Sequence, residues 1–396
     1  MLLVGDSPFT RWLAPLMGLV WMMAAWRIPP RKPHPALLIM VVFALWVLLS
    51  AFTTMDFDRT YRRVLSYLQL FLVALVIFQC TRNRRDWLRV LQGFGLGLWP
   101  PILGVAYNLQ QGVFKGDGRY TAPGFDPNDL AASLSLGIPV AWYLLMSIRR
   151  LRWLNGLYVP CASIAILLTA SRGGMVTLAI AMLFPLWSIT RGSWTARMGG
   201  MLLLAASGLA VIDFREEISV HRLATIWSQL MARDLNGRFD VWMRGSQLFL
   251  ESPLLGVGPG AFARAISSDG GSMIVAHNAF LEVVVEHGAV GLALFAGIVV
   301  ALALSLRRQE SLDRRLLTTL LVIWFTACQA LSWENREITW ALWALCAACP
   351  PLLKHSRTRV FSGRLPLRSP SRRSQARGCD PFPHMSSPSP GCTGAS

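Results

Sequence analysis

Long apolar runs recur along this 396-residue chain, and short arginine-rich connections separate them. A run of about 20 apolar residues crosses the hydrocarbon core of a bilayer as a helix. Repeated runs of this kind point to an all-α polytopic membrane protein, because a lipid-exposed segment must satisfy its own backbone hydrogen bonds. Spans are expected near 12–26, 36–52, 64–80, 87–108, 129–147, 153–170, 173–189, 198–212, 278–305, 316–333 and 339–353, about 11–12 in all. Pro100–Pro101 must kink the fourth. Only 15% of the residues are charged, against about 25% in soluble domains. The net charge of +17 therefore reads as membrane anchors and a basic tail rather than as a nucleic-acid surface.

Orientation follows from counting Lys and Arg in alternate connections. Residues 27–32, 82–89, 149–152, 191–197 and 307–315 hold most of them, so this set is expected on the cytoplasmic side. The connections 53–63, 109–128, 171–172, 213–277 and 334–338 then face outward. The chain divides into transmembrane helices 1–8 (1–212), one large periplasmic loop containing short helices (213–277), transmembrane helices 9–11 (278–355) and a disordered basic cytoplasmic tail (356–396). The N-terminus does not resemble a cleaved signal peptide. It comes out external, as a start codon placed one helix too late would make it. The seven cysteines form no framework. Cys346 and Cys349 make a CxxC inside an apolar run, without a second pair.

Under the charge rule, outward-facing arginines are the informative ones: Arg59, Arg62, Arg63, Arg119, Arg172, Arg238 and Arg244. Arg172 stands between two apolar runs with almost no loop. A charge at bilayer depth costs at least about 2.5 kcal/mol, so such a residue usually faces a cavity or a partner. Gly173–Gly174 permits close approach, and a helix beginning there offers its N–H groups to an anion. A snorkelling interfacial arginine is the plainer alternative. Arg238 opens an amphipathic segment in which Phe239, Trp242, Met243 and Leu250 fall on one side, as in a helix lying along the outer interface. A Gly/Pro turn follows at 256–260, where neither helix nor strand can persist.

His277 comes next, immediately before an apolar helix. Neutral imidazole accepts a proton near pH 7. Taken alone, His277 is better explained as a buried or interfacial histidine capped by a backbone carbonyl. Helical spacing puts His277, Leu281, Val284 and Gly288 on one face and Glu282 with Glu286 on the other. Those glutamates are expected to pair with another helix or an outer arginine rather than to orient His277. Asn128 is the expected N-cap of the fifth span, and Asp129 suits its dipole.

Outward basic residues with a histidine, and no HExxH or Walker loop, suit a diphosphate leaving group. Guanidiniums grip it bidentately and stabilise the charge that develops, while the histidine deprotonates an attacking hydroxyl. Arg172 and Arg238 are the diphosphate candidates and His277 the catalytic one. Arg244, Asn278, Glu282, Arg59 and Arg63 are supporting candidates, and neither metal nor cofactor is expected.

At these residues the chain resembles the O-antigen ligase/polymerase family of GT-C-type membrane glycosyltransferases. Gly237, Arg238 and Trp242 lead into ESPLLGVGPGAF (251–262), then HNAFLE (277–282) with Glu286, Gly288 and Gly291. SRGG (171–174) and GFDPN (124–128) resemble two upstream motifs. The likeness runs over about 115–310. It implies a multi-pass protein of the bacterial inner membrane with its active site toward the periplasm. The implied donor is undecaprenyl-diphosphate-linked glycan, the acceptor lipid A-core or another glycan, and membrane lipids surround the chain. Arg172 and Arg238 would bind the diphosphate, and His277 would activate the acceptor. A ligase is preferred over an O-antigen or exopolysaccharide polymerase using the same donor. A lipid-linked sugar flippase is the alternative from another class, and it would call for related halves and a deeper charged path.

Overall fold

The computed structural model describes residues 31–191 except 117, then 238–267 and 275–350, with isolated positions between 19 and 205. The expected spans at 12–26 and 198–212, Gly237 with most of the loop before it, and the tail 356–396 lie outside the described residues, apart from those isolated positions. Among the described residues the regular structure is helical: α1 Pro35–Ser50, α2 Phe57–Cys80, α3 Arg84–Gly97, α4 Trp99–Gln110, α5 Pro127–Ser147, α6 Arg152–Leu168, α7 Arg172–Arg191, α8 Arg238–Glu251, α9 Phe262–Ile266, α10 Ala279–Ser305, α11 Ser311–Cys328 and α12 Glu337–Ala348. Six helical stretches are long and apolar enough to cross a membrane, and α6 and α12 are shorter apolar helices. The chain is thus an all-α, multi-pass membrane protein.

Prolines mark some helix boundaries, whereas Pro139, Pro160 and Pro185 lie inside α5, α6 and α7. The third long stretch breaks at Leu98, so that Trp99 and Pro100 open α4 and the proline needs no donor. The last helix stops at Ala348, before Pro350. At the centre stands α5, where every residue from Leu130 to Leu144 is buried. It has no polar face because protein surrounds it. At Gly174 of α7, a Cβ would lie 2.4 Å from that of Ala131, so glycine sets the α5–α7 approach.

The connections sort onto two ends, in the two sets that charge counting separates. At one end Arg31 bonds the carbonyls of Phe78 and Thr81, Arg84 pairs with Asp313, and Arg315 stacks on Trp187. At the other, Thr53 and Thr60 bond the carbonyls of Gly256 and Pro259. Asn128 accepts from Ser171 there, and Asp129 accepts from Trp333.

Helix α10 is broken at Gly288 (φ 68°, ψ −172°). The Gly/Pro turn repairs the break. Val257 and Gly258 donate to the freed carbonyls of Val285 and Glu286 at 2.9 and 3.1 Å, and Ala289 donates to Pro253 at 2.8 Å. A Cβ at Gly288 would meet the Leu254 carbonyl oxygen at 2.1 Å. Irregular backbone at this depth is tolerated because protein satisfies it.

The break also corrects the single-face grouping of His277, Leu281, Val284 and Gly288. His277 precedes the helix, at φ +47°, and Gly288 interrupts it. Helix α8 packs Val241, Leu248 and Phe249 against Phe262, Ile266 and Val285. Phe239, Met243 and Leu250 remain exposed, whereas Trp242 is turned inward.

Candidate active site

The site gathers at the end of the bundle where α5, α7 and α10 begin. Pro127 fixes the first turn of α5, so the N-cap is Asp126 and not Asn128. The Asp126 carboxylate accepts from the N–H groups of Asn128 and Asp129. Asn128 is thereby released for another task. Its Oδ1 accepts from Arg119 Nη2 and from Ser171 Oγ, both at 2.8 Å. Ser171 Oγ in turn accepts from Gly174 N at 3.0 Å, which caps α7. One amide therefore ties the start of α5 to the residue before Arg172. Gly173 is exposed, leaving the first turn of α7 open beside half-buried Arg172.

One bond that aligns helix α8 runs from Trp242 Nε1, which donates to Ala276 O at 3.0 Å. Arg238 lies one turn earlier on the same face, so it is brought beside the residue that follows Ala276, which is His277. Electrostatics reports the same neighbourhood. The Arg238 guanidinium is held below its ordinary value by burial and then by Arg172, with Asp126 opposing. The His277 imidazole is held below its ordinary 6.5 by burial and then by Arg238, with Asp126, Asp129 and Glu282 opposing. Arg172, Arg238 and His277 thus share one field at the head of α5. An imidazole so depressed is neutral at pH 7 and able to take up a proton. An arginine whose charge is disfavoured by a neighbouring arginine gains from an anion placed between the two. His277 also adopts a left-handed backbone, which non-glycine residues seldom hold without surrounding constraint.

The structure also shows where each supporting candidate lies. Arg63 is committed to carboxylates, with Glu282 at 2.9 Å, Glu334 at 3.1 Å and Glu286 at 3.8 Å. Glu282 and Glu286 do face an outer arginine, as their spacing suggests, and together with Glu334 they hold Arg63. Arg59 pairs with Asp56 at 3.2 Å. Asn278 caps α10, accepting from Phe280 and Leu281. Arg244, six residues after Arg238, is turned about 240° around α8 and is exposed away from the cluster.

Sequence reasoning passed over the loop 331–336. Its Trp333 and Arg336 both engage Asp129, at 2.8 and 3.5 Å, and its Glu334 is buried against Arg63. The run WENRE between two apolar helices was the available signal. Among the described residues, no three His, Cys, Asp or Glu side chains group as a metal ion would need.

The family model described as O-Antigen ligase matches residues 157–296. That interval holds Arg172, Arg238 and His277. It is narrower than the 115–310 over which the motifs read, and GFDPN lies outside it. No curated protein matches the chain.

Proposed function

The match over residues 157–296 supports assigning the chain to the O-antigen ligase family, and from that assignment we propose a membrane glycosyltransferase that moves glycan from undecaprenyl diphosphate to a lipid A-core acceptor. The reaction takes place on the periplasmic face of the bacterial inner membrane, without metal. Arg172 and Arg238 hold the donor diphosphate. The acceptor oxygen attacks the anomeric carbon while His277 takes its proton. The bond between that carbon and the phosphate oxygen breaks, and undecaprenyl diphosphate leaves with the electron pair. The two guanidiniums stabilise the charge that develops.

The observation that supports this reading is the electrostatic succession from Arg172 to Arg238 to His277. Nothing in it distinguishes acceptors, so the acceptor belongs to the test. Purified protein is given lipid-linked glycan with either lipid A-core or a second lipid-linked repeat. Transfer to lipid A-core that survives EDTA and is lost in His277→Ala and Arg172→Ala is expected. Extension of the lipid-linked repeat alone would make the chain a polymerase. Transbilayer movement of the donor that persists in His277→Ala, without transfer, would make it a flippase.

A further inference from the structure

Helix α10 begins at the candidate active site and ends, about 40 Å further along its axis, beside a cavity of 610 Å³. The cavity lies between the residues that open α1 and the ends of α2, α10 and α12. Two chemistries meet in its walls. Phe78, Ala301, Leu304 and Ala347 are apolar, and Leu304 is 50% exposed. The cationic groups are Arg31, Lys32 and Arg308, with the His34 imidazole beside them, and no acidic side chain lines it among the described residues. Arg31 is fixed by the carbonyls of Phe78 and Thr81 and stacks on the Phe78 ring at 4.2 Å. His34 Nδ1 accepts from Ala36 N at 3.2 Å, which leaves Nε2 as the donor of the ring. Lys32 and Arg308 are exposed and have no carboxylate partner among the described residues.

We propose that this cavity binds an anionic phospholipid, its phosphate among Lys32, His34 and Arg308 and an acyl chain along Phe78, Ala301 and Leu304. Burial, then Arg31 and Arg308, hold the His34 imidazole below its ordinary value, so these positive charges converge on the cavity. Basic pockets between transmembrane helices take lipid phosphates for this reason. The mostly apolar wall favours a lipid over a free phosphate ester. The proposal does not depend on the glycosyltransferase reading.

Native mass spectrometry of the full-length protein tests it, with phosphatidylglycerol, phosphatidylcholine and soluble glycerol 3-phosphate offered at equal concentration. Phosphatidylglycerol is expected to be retained roughly ten-fold or more over phosphatidylcholine, and glycerol 3-phosphate not to be retained. Lys32→Gln/Arg308→Gln should abolish the preference, whereas Arg307→Gln, on the same turn but outside the cavity, should keep it. An unchanged preference in the double variant overturns the proposal. So does an equal loss in Arg307→Gln, which would mean diffuse charge. Retention of glycerol 3-phosphate as strong as that of the lipid would overturn it in favour of a soluble anion.

Discussion

Replacing Arg63 by methionine keeps much of its stem and removes the cation that three carboxylates share. Glu282 and Glu334 lie at 2.9 and 3.1 Å from it. A pair whose charges are centred about 4 Å apart is worth about 4 kcal/mol at an effective dielectric of about 20. Removing one partner of a buried pair costs about 3–5 kcal/mol. The Arg63 side chain keeps 24% of its exposure, so the lower end applies, about 3 kcal/mol. Proton uptake sets a similar scale, since protonating an ordinary carboxylate at pH 7 costs about 3.7 kcal/mol.

The sign with pH follows from Glu334, whose carboxyl burial pushes well above the usual range. A group raised in the folded state binds more protons there than when unfolded, and its contribution is lost as pH rises. Thermal unfolding in detergent, followed by tryptophan fluorescence, should show Arg63→Met melting several degrees below wild type at pH 7.5. The deficit should shrink toward pH 5.5. Adding Glu282→Gln and Glu334→Gln should restore part of the loss. A variant that melts with wild type at pH 7.5, or that loses further stability on acidification, would refute the argument.

Other outcomes are expected at the site and at the break in α10. Transfer should fall on the acid side as His277 protonates, with its midpoint below 6.5; Arg238→Gln removes a depressing charge and should move that limb to higher pH. Trp242→Phe deletes the bond to Ala276, worth about 1 kcal/mol, and should lower transfer roughly five-fold while the protein still elutes as one species. Gly288→Ala forces a Cβ into the Leu254 carbonyl at a positive φ, costing roughly 2–5 kcal/mol. Loss of the monodisperse peak in size-exclusion chromatography would show it. Gly97→Ala, with nothing near its Cβ, should leave that peak intact.

Helix positions and the sorting of connections were legible because length, hydropathy and arginine placement are local quantities. Arg172 and Arg238 stood out as outward arginines that break the charge rule, and His277 as a histidine at the head of an apolar run. What remained hidden was pairing at long range. Glu334 lies 271 residues from the arginine it faces, and no periodicity links them. Asn128 looked like a cap because it stands before a helix, yet Pro127 shifts the helix start by two positions and frees its amide. Arg63 and Arg172 look alike in sequence, both outward and both beside apolar runs. Only the carboxylates folded against one of them separate a structural cation from one open to a ligand.

Because the interrupted turn of α10 borrows its hydrogen-bond donors from residues 257 and 258, this stretch of loop is stitched to the membrane helix. Lifting it like a lid would strip two carbonyls of their partners, at roughly 1–3 kcal/mol each. A loop movement that keeps these bonds would need a hinge lying outside residues 253–258. This part of the loop is a fixed sill rather than a door.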